Sequence, residues 1–215
     1  MEAVVVGASG LVGSTLVNDL IRHPEFTKVV SIGRKTVKSN SEKISNIIIS
    51  DLSEISSIDL KMEDSVFFCC LGSTIKKAGN KENFRKVDFH GVVSFARLAK
   101  KSNASKFILV SAKGADVNSS FFYNRTKGEA EQAIIEMGLN STTIFRPGLL
   151  LGDRKEFRFF ESVSIGIMKG LKSVISYDRL RPFVTSVESL VRAIIDNSLV
   201  KETGYKIVDS SEILE

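Results

Sequence analysis

Ala3-Val4-Val5-Val6-Gly7-Ala8-Ser9-Gly10-Leu11-Val12-Gly13 is the stretch that decides the fold. Ala3–Val6 reads as a short buried strand, and the glycines at 7, 10 and 13 read as a tight turn. Leu11–Arg22 then reads as a helix, with Leu11, Leu16, Val17, Leu20 and Ile21 on its buried side. A strand, a glycine turn and a helix N-terminus in immediate succession hold a dinucleotide pyrophosphate: backbone N–H groups point at the anion and the helix dipole favours it. Gly7 permits the turn, Gly10 lets the backbone approach phosphate, and Gly13 lets the helix lie on the sheet. The spacing is G-x-x-G-x-x-G, not G-x-G-x-x-G, and the competing reading is a helix-packing turn without a ligand.

Further along the chain the same alternation recurs. Strands are expected at Val29–Ile32, Ile47–Ile49, Val66–Leu71, Phe107–Val110, Thr142–Phe145 and Tyr205–Val208. Helices are expected at Phe84–Lys101, Tyr123–Met137 and Val187–Val200, and loops at Lys35–Asn46 and Gly72–Asn80. Alternating strands and helices predict an α/β fold, a Rossmann-like doubly wound parallel sheet of six to seven strands. The expected organisation is one domain over 1–215, with a core over 1–148 and a small lobe over 149–215.

The end of the second strand selects the dinucleotide. An NAD site places a carboxylate there to accept from the ribose 2′-hydroxyl. This chain has Gly33-Arg34-Lys35 instead, two cations suited to a 2′-phosphate, so NADP(H) is expected over NAD(H). Asp51, past the third strand, stands where a carboxylate could accept from the adenine amino group or cap a loop.

Tyr123-Asn124-Arg125-Thr126-Lys127 carries the second motif. Residues i and i+4 share a helix face, so the phenol and the ammonium are neighbours. A nearby cation favours phenolate, and the Lys127 charge is expected to lower the Tyr123 pKa. A phenol tuned in this way donates a proton to a carbonyl oxygen as hydride reaches carbon.

The bulk numbers exclude several classes. The 215 residues are 43% apolar and 26% charged, ordinary for a globular protein. Net charge is +5, but the cations are scattered rather than massed, which argues against nucleic acid as a partner. Cys69 and Cys70 are adjacent in an apolar run and point to opposite faces, so they are read as buried hydrophobes rather than a disulfide. With only two histidines, His23 and His90, no metal-ligand spacing occurs. The first strand leaves no room for a leader, and no apolar stretch approaches the roughly 18 residues of a membrane span. A soluble, cytoplasmic protein with no membrane partner is expected.

Beyond these two motifs the chain carries Cys70-Leu71-Gly72-Ser73-Thr74, Val87-Asp88, Val110-Ser111-Ala112-Lys113-Gly114-Ala115-Asp116, Lys127-Gly128-Glu129 and Phe145-Arg146-Pro147-Gly148-Leu149-Leu150. Together they resemble the short-chain dehydrogenase/reductase superfamily in its extended or atypical branch, and most of all its TIP30-like subgroup. The resemblance implies that Ser9, Gly10, Leu11 and Val12 face the pyrophosphate, Arg34 and Lys35 the 2′-phosphate, and Leu71 and Gly72 the adenosine ribose and pyrophosphate. It implies that Tyr123 and Lys127 are the active pair, that Pro147 and Leu150 lie near the nicotinamide, and that Arg158 reaches the cofactor. One departure stands out: the superfamily has Ser-Ser where this chain has Ser111-Ala112, so Ser111 becomes the candidate for orienting a substrate carbonyl. The implied activity is NADPH-dependent reduction of a small carbonyl compound. Two rivals are an NADPH-binding regulatory protein with a protein partner and little turnover, and a nucleotide-sugar epimerase or dehydratase. Many members of the superfamily are homodimers.

Overall fold

Ala3, Val4, Val5 and Val6 have no exposed surface, which requires a cover on both faces of their strand. Ala3 and Val5 join one apolar cluster and Val4 and Val6 the other, the two-residue period of a strand sorting them to opposite sides. A computed structural model describes residues 1–62, 64–151 and 184–213. Its strands are β1 (Glu2–Val6), β2 (Lys28–Gly33), β3 (Ile44–Ile48), β4 (Ser65–Cys69), β5 (Lys106–Val110), β6 (Ser141–Arg146), β7 (Leu149–Leu151), β8 (Val184–Ser186) and β9 (Gly204–Asp209). Seven of them form one sheet in the order β3-β2-β1-β4-β5-β6-β9, every pairing parallel. The order reverses between β1 and β4, and such a switch point opens a crevice at the carboxyl ends of the strands.

The helices are α1 (Leu11–Arg22), α2 (Ile75–Ala78), α3 (Lys81–Arg85), α4 (Val92–Lys101), α5 (Phe122–Met137) and α6 (Val187–Leu199), the last numbered among the described residues. On one face, Leu16, Val17 and Leu20 of α1 and Leu190, Val191 and Ile194 of α6 pack over β1 and its neighbours. On the other, Phe95, Leu98 and Ala99 of α4 and Ala130 and Ile134 of α5 do the same. Cys69 lies in the second cluster and Cys70 against the first, both as free thiols.

Two features differ from the sequence reading, and a third concerns how the C-terminal stretch meets the core. The stretch after residue 184 returns to the core: α6 covers the sheet beside α1, and β9 is its seventh strand. The described part of the expected 149–215 lobe is thus packed onto the core through the apolar face of α6; residues 152–183 lie outside the described residues. β3 begins at Ile44, inside the expected loop, since an edge strand tolerates the polar Ser45 and Asn46 that blurred its alternation. The expected helix Phe84–Lys101 is interrupted by a π turn at Lys86–Gly91. That turn inserts an extra residue and rotates the buried face, so Asp88 is buried while Val87 is not. Gly91 allows close packing at the end of the turn, where a Cβ would lie 2.9 Å from Leu52 and 3.1 Å from Leu71.

Candidate functional site

Gly7 follows β1 with φ +79°, a left-handed conformation, and a Cβ there would sit 2.4 Å from the Cys70 carbonyl oxygen. A Cβ at Gly13 would sit 2.3 Å from the Gly7 oxygen. Both positions are thus closed to any larger residue, and the turn is drawn tight under the start of α1. Gly10 is the N-cap of α1, and no side chain caps it. The first N–H groups of α1 are therefore left for an anion. Gly7, Ser9 and Gly10 line a cavity of about 550 Å³ with Leu71 and Gly72 from the end of β4 and Arg34 and Lys35 from the end of β2. Val12 is in the core and Leu11 packs against it, so those two positions offer an anion only main chain.

Arg34 also borders a second cavity of about 790 Å³, as do Lys77 of α2, Asp51 and Lys86. Among the described residues neither Arg34 nor Lys77 forms an ion pair. The Asp51 carboxylate accepts from Ser53 N at 2.9 Å, while Glu54 accepts from Asp51 N at 2.9 Å, a reciprocal cap on the 3-10 turn Leu52–Ser57. Those hydrogen bonds from Ser53, with Lys86 and Arg34 nearby, hold the Asp51 carboxyl below its ordinary range. One of its oxygens is therefore a cap, and the residue still borders the cavity expected to take adenine.

At the start of α5, Tyr123 packs its ring against Phe84 at 5.5 Å between centroids. One turn on, the Lys127 ammonium lies 2.7 Å from Asp88 Oδ1, with Asp88 fully buried and Lys127 nearly so. The other carboxylate oxygen, Oδ2, accepts from Ser73 N at 2.9 Å. A Cβ added to Gly72 would lie 3.6 Å from the ammonium and 3.8 Å from Oδ1, so the pair sits directly against the cavity wall.

The electrostatics reverse one expectation. Burial pushes the Tyr123 phenol above its ordinary value; Lys127 pulls it down and the Asp88 carboxylate pushes it up again. The Lys127 charge alone predicts a lowered phenol, but that charge is paired. Burial works to lower the Lys127 ammonium, yet Asp88 and Tyr123 outweigh it and hold the group above its ordinary value. Burial pushes the Asp88 carboxyl up, and Lys127 and the Ser73 N–H pull it back.

Ser111 lies just past β5, but its hydroxyl donates to Glu131 Oε1 on α5. Glu131 also takes two hydrogen bonds at its Oε2 from Arg146, from Nη2 at 2.6 Å and Nε at 3.1 Å. In this arrangement the Ser111 hydroxyl belongs to a strut between β5, α5 and β6. The carbonyl oxygen of Pro147 accepts from Lys113 N at 2.9 Å, and Leu150 pairs with Thr185 across β7 and β8. Arg158 lies outside the described residues.

Three residues that the sequence reading left without a role thus enter the site. Lys77 was hidden in an expected loop, and Glu131 reads as an ordinary polar residue of α5. Asp88 was obscured by the π turn, which buries a charged residue where helical periodicity expects an exposed one. Its one signal is an acid between the apolar Val87 and Phe89.

A parallel seven-stranded sheet, a glycine turn at its switch point and a Tyr/Lys pair on the helix beyond β5 define an NAD(P)-binding Rossmann protein of the extended short-chain dehydrogenase/reductase type. The chain belongs to the NAD dependent epimerase/dehydratase family, which it matches over residues 3–194. It is 39% identical over 170 residues to the protein FMP52-2, mitochondrial, of Scheffersomyces stipitis, covering 78% of this chain and 74% of that one. It is 33% identical over 214 residues to the protein HTATIP2 of Rattus norvegicus, covering 98% of this chain and 86% of that one. Among solved structures, MoeE5 in complex with UDP-glucose and NAD superposes with a TM-score of 0.73 at 17% identity, over 97% of this chain and 75% of that one, a likeness of fold.

The mitochondrial designation, shared by fungal relatives from Candida albicans, Meyerozyma guilliermondii and Emericella nidulans, overturns the expectation of a cytoplasmic protein. Compartment is read from the chain by cellular receptors, not set by core packing, so a Rossmann pattern carries no address.

Proposed function

We propose that the protein is an NADP(H)-dependent oxidoreductase that reduces a carbonyl group of a small molecule. The observation that carries this reading is the buried Lys127–Asp88 pair against the wall of the glycine-lined cavity, with Tyr123 one helical turn before Lys127 on α5. A nicotinamide dinucleotide fits the residues present. The tight turn puts Gly7, Ser9 and Gly10 on the cavity wall, no side chain caps the N-terminus of α1, and Arg34 and Lys77 are cations without ion-pair partners among the described residues. When bound, the cofactor supplies the hydride.

The chain's own groups would do the rest. Gly7, Ser9 and Gly10 would hold the pyrophosphate with main-chain N–H groups, and Arg34 with Lys77 would take a 2′-phosphate. Tyr123 would pass its phenolic proton to the carbonyl oxygen as the carbon is reduced. Lys127 would stay ammonium, a fixed donor facing the cavity wall.

Ser111 favours a second reading. Its hydroxyl is given to Glu131, and Ala112 has none to replace it. A missing oxyanion donor costs about 10²–10³ in rate, which suits a protein that binds NADPH to present a surface to a partner. A panel of aldehydes, ketones and quinones with NADPH separates the two. The enzyme reading expects consumption that Tyr123→Phe abolishes while cofactor affinity stays nearly intact; turnover unchanged by that substitution would refute it.

A further inference from the structure

The Asp88–Lys127 pair is an unusual thing to bury. Removing two charges from water is expensive, and such a pair is weak evidence of stability, because a well-packed apolar pair of similar volume often does as well. This one touches the wall of the candidate site, and the local backbone is shaped to make it. The π turn Lys86–Gly91 rotates Asp88 inward, Ser73 N holds its second oxygen at 2.9 Å, and Gly72 of the cavity wall lies directly against both charged groups. Arg85, immediately before the turn, is ion-paired with Glu129 on α5, which ties the turn to the helix that bears Tyr123 and Lys127.

We propose that Asp88 is a positioning residue of this site: it pins the Lys127 ammonium beneath Gly72 and cancels its charge, so that Tyr123 keeps its proton and acts as a proton donor to a carbonyl oxygen. This rests on the hydride-transfer reading above and goes further, because it assigns the direction in which the site is poised. An unpaired Lys127 beside Tyr123 would favour phenolate, the form that takes a proton from an alcohol. A paired Lys127 leaves the phenol, the form that gives a proton to a carbonyl. Among the described residues, the charged and titratable groups acting at this point are Lys127 on the same helix, Asp88 from the π turn and, through Lys127, Cys69 at the end of β4; α3 contributes the apolar ring of Phe84.

The chain has three tyrosines and no tryptophan, so tyrosinate absorbance can be followed against pH without cofactor or substrate. The difference between wild type and Tyr123→Phe isolates the Tyr123 phenol. It is expected to titrate at or above the ordinary tyrosine value of about 10, and a wild-type phenol titrating clearly below that value overturns the inference. In Asp88→Asn, shown folded by its thermal melt, the Tyr123 titration is expected to move down by about one unit, a tenfold loss of proton affinity. In Asp88→Asn with Lys127→Met, where neither charge remains, it is expected to return toward the wild-type position. A folded Asp88→Asn protein with an unmoved titration also overturns the inference. Failure of the oxidoreductase reading registers elsewhere, as the absence of Tyr123-dependent NADPH consumption.

Discussion

Arg34 directly follows β2 and borders both cavities, and Lys77 of α2 borders both as well. A guanidinium offers two parallel hydrogen bonds to a phosphate, whereas an ammonium acts as a point charge, so Arg34 should carry more of the discrimination. NADPH is expected to bind at least tenfold tighter than NADH. Arg34→Ala should remove that gap, about 1.4 kcal/mol, and Lys77→Ala should narrow it, with NADH affinity little changed in either. Titration by nicotinamide fluorescence checks this; equal binding of both nucleotides by wild type would remove the 2′-phosphate from the account. Arg34 was readable because it replaces a carboxylate at a known distance from a glycine turn. Lys77 was not, because its place on the crevice depends on how residues 72–80 coil back from β4 into α2.

At the scale of elements, α5 decides how deep the Tyr/Lys pair sits. Gly128, next to Lys127, lies against the main chain of the loop after β5: a Cβ would fall 2.3 Å from the Asp116 carbonyl carbon and 2.4 Å from Val117 N. Alanine would favour the helix by about 1 kcal/mol. Displacing backbone at such a distance costs more, since overpacking typically costs about 1–3 kcal/mol and neither partner here is a flexible side chain. Gly128→Ala should therefore lower the melting temperature, by roughly 2–8 °C for a chain of this size, and should weaken any Tyr123-dependent turnover by moving α5 away from the loop. A melt at or above that of wild type would show that the loop gives way freely. The π turn belongs to the same scale. A regular helix over Phe84–Lys101 would keep an acid off its apolar face, and the π turn puts Asp88 on the buried side instead.

Across the whole molecule, the crevice joins segments from four places in the chain: the turn after β1, the ends of β2 and β4, and α5 reached through Asp88. A ligand that clamps these together stabilises the folded state by mass action, about 2.7 kcal/mol at a hundredfold excess over Kd. NADPH at that excess should raise the melting temperature by roughly 5–10 °C, and NADH at the same concentration by clearly less; no shift with either would mean that the glycine turn is structural. The doubly wound sheet was legible because its causes are local: strand and helix periods, a glycine turn at the first crossover, and apolar strands buried on both faces. The Arg34 cation and the helical spacing of Tyr123 and Lys127 were legible for the same reason. What those groups face was settled only when distant segments met. The sequence alone determined that a phenol and an ammonium share a helix face. The tertiary structure decided that the ammonium is paired with Asp88, that the phenol is buried beside that pair, and that the Ser111 hydroxyl turns to Glu131, because each of these depends on a partner from another element.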